Sequence, residues 1–168
     1  QPVLGDDANA PELARVGVKA DAVNSMANSP GLQFNETESG ILLSHNDDLW
    51  YFDVAAGTLK RLTNNKAEEL EPDFSPDGRL VSFVRGNNLY VVDIARANEK
   101  QLTRDGREGD KAIYNGYLDW IYEEELYGRG QKRGYWWSPD SRFIAFLRLD
   151  ESPVPKFILT NDIPIDQT

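Results

Sequence analysis

The chain contains no cysteine and only one histidine, His45. The missing cysteines exclude disulfides, iron–sulfur clusters, cysteine-ligated zinc and thiol catalysis, and one histidine cannot build a multi-histidine zinc site. No run of about 18 apolar residues occurs, so the sequence predicts no membrane-spanning helix. Positive charge is also scarce, because 18 lysines and arginines stand against 28 aspartates and glutamates, giving a net charge of −10. This balance disfavours nucleic acid and anionic membrane surfaces as partners.

The 168 residues suit one domain or part of a larger one, and their character changes near residue 40. Residues 1–40 are poor in large apolar side chains and show no sustained periodicity, so we expect a loosely ordered lead-in. Within them, Asn35-Glu36-Thr37 matches the acceptor pattern for N-glycosylation. Residues 41–168 carry short apolar or alternating runs between turn signals, which predicts strands. The predicted strands are residues 41–44, 49–54, 80–84, 89–94 and 143–149.

Two internal repeats indicate the architecture. Residues 49–55 match residues 89–95 at an offset of 40 positions, and residues 74–85 match residues 137–148 with six of twelve positions identical. A unit of about 40 residues with four short strands is typical of a propeller blade. The sequence therefore predicts an all-β fold, a partial β-propeller of about three blades of four-stranded antiparallel sheet with a short helical insertion. A closed propeller has roughly 4 to 8 blades, so we expect a segment of a longer protein.

The repeats also locate an insertion. The second offset is 63 residues, which leaves about 23 extra residues between Thr103 and Trp137. In repeat folds such insertions lie in loops on one face, often the binding face. This insertion contains three consecutive glutamates, and Asp119 is placed to cap a short helix that would end before Gly128. The aromatic residues around the glutamates are Tyr114, Tyr117, Trp120, Tyr122, Tyr127, Tyr135 and Trp136.

From these residues alone, two interpretations of the glutamates are open. One is a solvated and well-capped helical turn, in which the acidic residues suit the helix dipole. The other is a binding site, because adjacent carboxylates repel one another unless they are solvated or offered a cation. Aromatic rings and paired carboxylates suit an organic ammonium ion, although a lysine or arginine from a neighbouring segment could fill the same role.

One string in the insertion is specific to a known family. It reads Asp119-Trp120-Ile121-Tyr122-Glu123-Glu124-Glu125, and it is followed by Trp136-Trp137-Ser138-Pro139. It resembles the propeller region of dipeptidyl peptidase IV-like enzymes, which are serine peptidases of the prolyl oligopeptidase clan. The resemblance implies an N-terminal propeller, a C-terminal α/β-hydrolase domain that is absent from this chain, and release of N-terminal dipeptides, often after Pro or Ala. It also implies that Glu124 and Glu125 bind the α-ammonium of a peptide with a free N-terminus, with Glu123, Trp120 and Tyr122 in supporting roles.

Several features of that family are missing from the chain. No Gly-x-Ser-x-Gly sequence occurs, so no catalytic residue is assigned here. His45 lies in a turn-like stretch, and the region of residues 42–46 offers no equivalent of the arginine that some members use to bind the substrate carbonyl. The resemblance calls for no metal or cofactor, allows a homodimer, and favours a periplasmic or secreted location over a cytoplasmic one.

Two alternatives to a peptidase come from other functional classes. The first is a propeller that only binds or scaffolds, including a peptidase relative without a nucleophile; a downstream Gly-x-Ser-x-Gly segment would distinguish it from an active enzyme. The second is a sugar-active propeller that uses the glutamates as acid and base. Adjacent glutamates on one turn suit that chemistry poorly, since its carboxyls flank the glycosidic bond about 5–9.5 Å apart.

Overall fold

The computed structural model describes residues 32–155, and its strands form two four-stranded antiparallel sheets and two two-stranded sheets. The first sheet contains β1 (Gln33–Phe34), β2 (Gly40–His45), β3 (Asp48–Asp53) and β4 (Thr58–Arg61) in that order. The second contains β5 (Leu70–Phe74), β6 (Leu80–Arg85), β7 (Asn88–Asp93) and β8 (Asn98–Gln101). The two short sheets are formed by β9 (Ile113–Asn115), β10 (Tyr135–Trp137), β11 (Ile144–Phe146) and β12 (Arg148–Asp150). This arrangement confirms the predicted all-β fold with sheets typical of propeller blades.

The first sheet begins inside the stretch that was expected to be a lead-in. Strand β1 pairs with β2 through Gln33 opposite Leu42 and Phe34 opposite Ile41. Residues 1–31 lie outside the described residues, as do residues 156–168. The proposed division at residue 40 therefore stays a prediction. Within residues 32–155 no helix is long and apolar enough to cross a membrane.

The turn between β1 and β2 is organised by the buried side chain of Asn35. Its Oδ1 accepts hydrogen bonds from the backbone N–H groups of Ser39 and Gly40 at 2.9 and 3.1 Å. Its Nδ2 donates to Ser39 Oγ at 3.0 Å. The amide nitrogen to which a glycan would attach is thus used in a hydrogen bond within the turn. In the folded chain, Asn35 therefore has a structural role.

Repeated residues make the same hydrogen bonds in both four-stranded sheets. Asp53 and Asp93 each follow the third strand, and their Oδ1 atoms accept the backbone N–H three residues ahead at 2.9 and 2.8 Å. The hydroxyls of Thr63 and Thr103 accept the N–H of the leucine near the start of that strand at 2.8 and 2.9 Å. The repeated aspartates therefore cap the turns at the ends of these strands.

The two Ser-Pro-Asp turns also share their geometry. Ser75 and Ser138 donate their hydroxyls to Asp77 and Asp140 at 2.7 and 2.6 Å, and these bonds lower the pKa of both carboxyls. The turns differ at the next position, where Gly78 in the first is replaced by Ser141 in the second. Ser141 adopts a φ of +59°, a left-handed conformation that disfavours a side chain. Its hydroxyl accepts the backbone N–H of Asp77 at 2.9 Å and so joins two neighbouring sheets.

We expect Ser141→Ala to lower the free energy of unfolding by about 1 kcal/mol, because alanine keeps the strained φ and loses the hydrogen bond. We expect Ser141→Gly to change it by less than about 0.5 kcal/mol, because relief of the backbone strain offsets the lost bond. Urea unfolding of both variants measures the difference. Equal values for the two variants would show that the left-handed backbone carries no cost at this position.

Residues 143–149 form two strands, which corrects the prediction of one. Strand β11 pairs with β10, whereas β12 pairs with β9. Between them, Leu147 donates its N–H to Gly134 at 2.8 Å and accepts the N–H of Gly116 at 2.9 Å. Strands β11 and β12 therefore pair with two separate segments, β10 and β9, and residues 116–134 loop out between those two segments. These residues form the greater part of the predicted insertion, and from here on the insertion means residues 116–134. The alternating pattern of a strand does not show that its partner is interrupted, so the sequence could not predict the break.

Apolar side chains between neighbouring sheets form the core. The cluster between the first two sheets contains Leu42, Leu49, Leu62, Phe74, Val81, Phe83, Val92 and Ile94. A smaller cluster joins the second sheet to β10 through Val84, Leu89 and Tyr135. The hydroxyl of Tyr135 donates to the backbone carbonyls of Glu71 and Ser82, and burial raises its pKa. The strand that follows the insertion is therefore anchored to the second sheet.

Candidate functional site

The insertion carries a π-helical turn, Tyr122–Leu126. The N–H of Tyr127 donates to the carbonyl of Tyr122 at 2.9 Å, the five-residue spacing of a π-helix. Asp119 Oδ1 accepts the N–H of Tyr122 at 2.9 Å, which confirms Asp119 as the predicted cap. Gly128 follows the turn with a φ of +93°, again as predicted. Single π-helical turns are rare and occur often at functional sites.

The two ends of the insertion, residues 116–118 and 132–134, are joined by backbone hydrogen bonds, and we call them its stems. Leu118 donates its backbone N–H to Lys132 at 2.8 Å, and Gly134 donates to Gly116 at 3.0 Å. The guanidinium of Arg133 lies 2.9 Å from Asp73 on β5, which ties the returning stem to the second sheet. The base of the insertion is thus fixed, and its glutamates are presented at the exposed end.

The three consecutive glutamates have different surroundings. Glu123 is the most enclosed, with 18% of its side chain exposed, and its carboxylate lies 3.8 Å from Lys132 Nζ. Glu124 is 38% exposed and accepts a hydrogen bond from Arg129 Nε at 2.7 Å. Glu125 is exposed, and no residue among 32–155 forms a hydrogen bond or an ion pair with its carboxylate. The structure therefore encloses Glu123 and leaves Glu124, paired with Arg129, and Glu125 at the exposed end of the turn.

Six of the seven aromatic residues that were expected around the glutamates fall into three groups. The rings of Tyr122 and Tyr127 stack at 6.1 Å beside the π-helical turn, and Trp120 is 66% exposed. The ring centroids of Tyr114, on β9, and Tyr117, at the start of the insertion, lie 6.4 Å apart. Tyr135 is fully buried against the second sheet and so takes no part in the site.

Two side chains behind Glu123 were not identified from the sequence. Glu71 lies in a bulge of β5 with a φ of +51°, and it is half-buried near Lys132 and Glu123. Burial raises the pKa of Glu71 and of Tyr117, and Tyr117 together with Glu123 raises the pKa of Lys132. The basic residues just after the acidic run were a usable signal for Lys132. Nothing in the sequence marked Glu71, because a bulge reorients its side chain.

The arrangement suits a small cation and does not suit a metal ion held by the chain alone. Within residues 32–155, no group of three or more His, Cys, Asp or Glu side chains is placed to hold a metal. Two carboxylates on one turn can instead share an ammonium group that donates several hydrogen bonds. Arg129 already donates a hydrogen bond to one of these carboxylates, that of Glu124.

A separate groove lies away from the glutamates. It has a volume of about 750 Å³ and opens between the first two sheets, lined by Tyr51, Lys60, Arg79 and Arg96 among others. Lys60 crosses it to donate to the backbone carbonyl of Ile94 at 2.8 Å. We interpret this groove as space between neighbouring blades, because Lys60 of the first sheet spans it to reach the second sheet.

The chain is similar to proteins of one family. Residues 32–165 match the family model described as the dipeptidyl peptidase IV (DPP IV) N-terminal region. The "Probable dipeptidyl-aminopeptidase B" of Talaromyces stipitatus is 39% identical over 118 residues, which cover 64% of this chain and 12% of that protein. The dipeptidyl-aminopeptidase B of Aspergillus niger is 34% identical over 128 residues, which cover 75% of this chain and 14% of that protein.

A solved structure agrees with the sequence comparisons. The crystal structure of Porphyromonas gingivalis dipeptidyl peptidase 4 matches with a TM-score of 0.64 at 32% identity. The match covers 79% of this chain and 20% of that structure. The chain thus spans between 12% and 14% of the length of the curated relatives named above.

Proposed function

The chain belongs to the dipeptidyl peptidase IV N-terminal region family, and from that membership we propose that it is the propeller portion of a serine-type dipeptidyl aminopeptidase. The enzyme removes dipeptides from the N-termini of peptides, often after Pro or Ala. The nucleophile and its partners belong to an α/β-hydrolase domain outside this chain. We place the whole protein in a periplasmic or secreted compartment.

The observation that carries the proposal is the difference among the three glutamates. Glu123 is the most enclosed of the three and faces Lys132. Glu124 and Glu125 lie toward solvent on the same turn, and the cation that pairs with Glu124, Arg129, is itself exposed. In our proposal Glu124 and Glu125 bind the substrate α-ammonium, and Glu123 supports them by fixing the turn to the stem. Tyr122 supports the turn through its stacking on Tyr127, and Trp120 offers an exposed apolar face next to it.

The chemistry of a peptide N-terminus fits this pair. An α-ammonium carries a full positive charge and three N–H donors, and charge-assisted bonds to two carboxylates are about twice as strong as neutral ones. An acylated N-terminus has lost that charge, so the pair rejects blocked peptides. Because the pair lies at a fixed distance from a nucleophile on the hydrolase domain, the site where the chain is cut is set by the anchored end.

Analysis of the products tests the proposal. We expect the full-length protein, incubated with a peptide that has proline in second position, to release the N-terminal dipeptide. The same peptide with an acetylated N-terminus is the matched control and is expected to stay intact. Mass spectrometry distinguishes the outcomes: loss of a single residue, or equal cleavage of the acetylated peptide, would refute the proposal. No cleavage of either peptide would favour the non-catalytic propeller.

A further inference from the structure

Arg129 pairs with Glu124, one of the two glutamates that we assign to the substrate amine. Arg129 lies at the tip of a turn that is closed by a hydrogen bond from Gln131 to Gly128 at 3.2 Å. Its side chain is 87% exposed, and its Nε donates to Glu124 Oε2. In the described part of the chain, nothing lies within 4 Å of a Cβ built at Gly128 or Gly130. The Arg129 guanidinium is therefore largely exposed while it pairs with Glu124.

Arg129 differs from the two basic residues that follow it. Lys132 faces Glu123 on the stem, and Arg133 pairs with Asp73 on the second sheet. The first pair holds the π-helical turn to the rest of the insertion, and the second holds the insertion to the second sheet. Among residues 32–155, the one ion pair of Arg129 is with Glu124, a carboxylate that we assign to substrate binding.

A bound α-ammonium brings a second cation to Glu124. The two oxygens of one carboxylate are close together, so an ammonium on one and a guanidinium on the other lie roughly 5 Å apart. Like charges at that distance repel, and a negative charge close to both relieves the repulsion. The side chain of the substrate's first residue leaves the same carbon atom as the ammonium, so a charged group on it can reach a guanidinium that pairs with Glu124.

We propose that Arg129 makes this site select peptides whose first residue is acidic and disfavour peptides whose first residue is basic. A carboxylate on that residue pairs with the planar guanidinium, which matches carboxylate geometry with two parallel bonds. A lysine or arginine there adds a third cation. This inference rests on the proposed function, since it concerns the peptide that the glutamate pair holds.

The test compares substrates that differ only in their first residue. We use Glu-Pro, Gln-Pro and Lys-Pro p-nitroanilides with the full-length protein at low ionic strength. Each unit of side-chain charge is expected to change kcat/KM about threefold, so the Glu-to-Lys ratio is about tenfold. Arg129→Gln is expected to bring this ratio close to one, and Arg129→Glu to invert it. A ratio within one variant is unaffected by any general loss of activity.

A matched control removes an equivalent exposed ion pair elsewhere. Arg96 pairs with Asp93 at 2.8 Å on the β7–β8 turn and is also largely exposed, so Arg96→Gln changes net charge equally and is expected to retain the tenfold ratio. Raising the ionic strength to about 0.5 M is expected to shrink the ratio of the unmodified protein. An unchanged ratio in Arg129→Gln would overturn the inference while leaving amine binding intact. Equal cleavage of acetylated substrates would overturn both proposals together.

Discussion

Glu125→Gln in the full-length protein is expected to lower kcat/KM for free-amine dipeptide substrates by about 30- to several-thousand-fold. Glutamine keeps the size of the side chain and one acceptor oxygen but removes the charge that balances the α-ammonium. If the bound peptide desolvates the pair, leaving its charge partly unpaired costs about 2–5 kcal/mol, which corresponds to that range of rate. Steady-state kinetics on dipeptide p-nitroanilides measures the change.

Glu124→Gln is expected to fall in the lower part of the same range. Arg129 already neutralises part of the Glu124 charge, whereas Glu125 has no such partner among the described residues. The substrate ammonium therefore depends more on Glu125. Glu123→Gln is expected to act more weakly than either, because the Glu123 carboxylate faces Lys132 and is not offered to the ligand.

The control for these variants is Glu36→Gln, an exposed glutamate in the turn between β1 and β2. It makes the same change of charge on another part of the surface and is expected to stay within about twofold of the unmodified protein. If Glu124→Gln and Glu125→Gln both match this control, neither residue binds the substrate amine. If Glu123→Gln has the largest effect, the ligand pair has been assigned one residue too far along the chain.

Features built from nearby residues could be predicted from the sequence. The aspartate caps span three residues, and the serine of each Ser-Pro-Asp turn meets an aspartate two residues ahead. These bonds need only the local chain and recur wherever the motif recurs, so the repeats were sufficient to identify blades. The cap at Asp119 was predicted for the same reason, because the N–H that it accepts lies three residues ahead.

Features that depend on distant strands could not be predicted in this way. The break at Leu147 exists because the strand facing it is interrupted by the insertion, and the partner segments are far away in sequence. Glu71 approaches Glu123 only because a bulge in β5 displaces its backbone. The aromatic residues were expected to surround the glutamates as one group, yet Tyr135 is drawn into the core by the second sheet. Proximity along the chain was a poor guide to which rings share the surface.

A buried ion pair between strands predicts the largest change in stability. Glu69 precedes β5, its side chain is 1% exposed, and it lies 3.0 Å from the guanidinium of Arg85. Arg85 also lies 2.8 Å from Glu99. We expect Arg85→Met to lower the free energy of unfolding by about 3–5 kcal/mol, because it leaves a buried carboxylate without its cation. Urea unfolding followed by tryptophan fluorescence measures the change.

The dependence of this loss on pH separates an unpaired charge from a packing defect. Burial already raises the pKa of Glu69, and removal of Arg85 raises it further because the neighbouring cation favours the charged form. A carboxyl with a raised folded-state pKa holds its proton more tightly when folded. Its stabilising contribution is therefore full below about pH 4.3, the ordinary pKa of glutamate, and is lost as the pH rises through the folded-state value. We expect Arg85→Met to be least destabilised at acidic pH and most destabilised near neutrality.

Two further variants complete the experiment. Glu69→Gln combined with Arg85→Met removes the unpaired charge and is expected to recover part of the stability at neutral pH. Arg96→Gln breaks an exposed pair and is expected to cost less than about 1 kcal/mol. A loss in Arg85→Met that is the same at all pH values, with no recovery in the double variant, would assign the role of Arg85 to its packing on Phe83 and Tyr90. A loss of stability that depends on pH and is partly recovered in the double variant would show that the buried carboxylate of Glu69 is stabilised by the charge of Arg85.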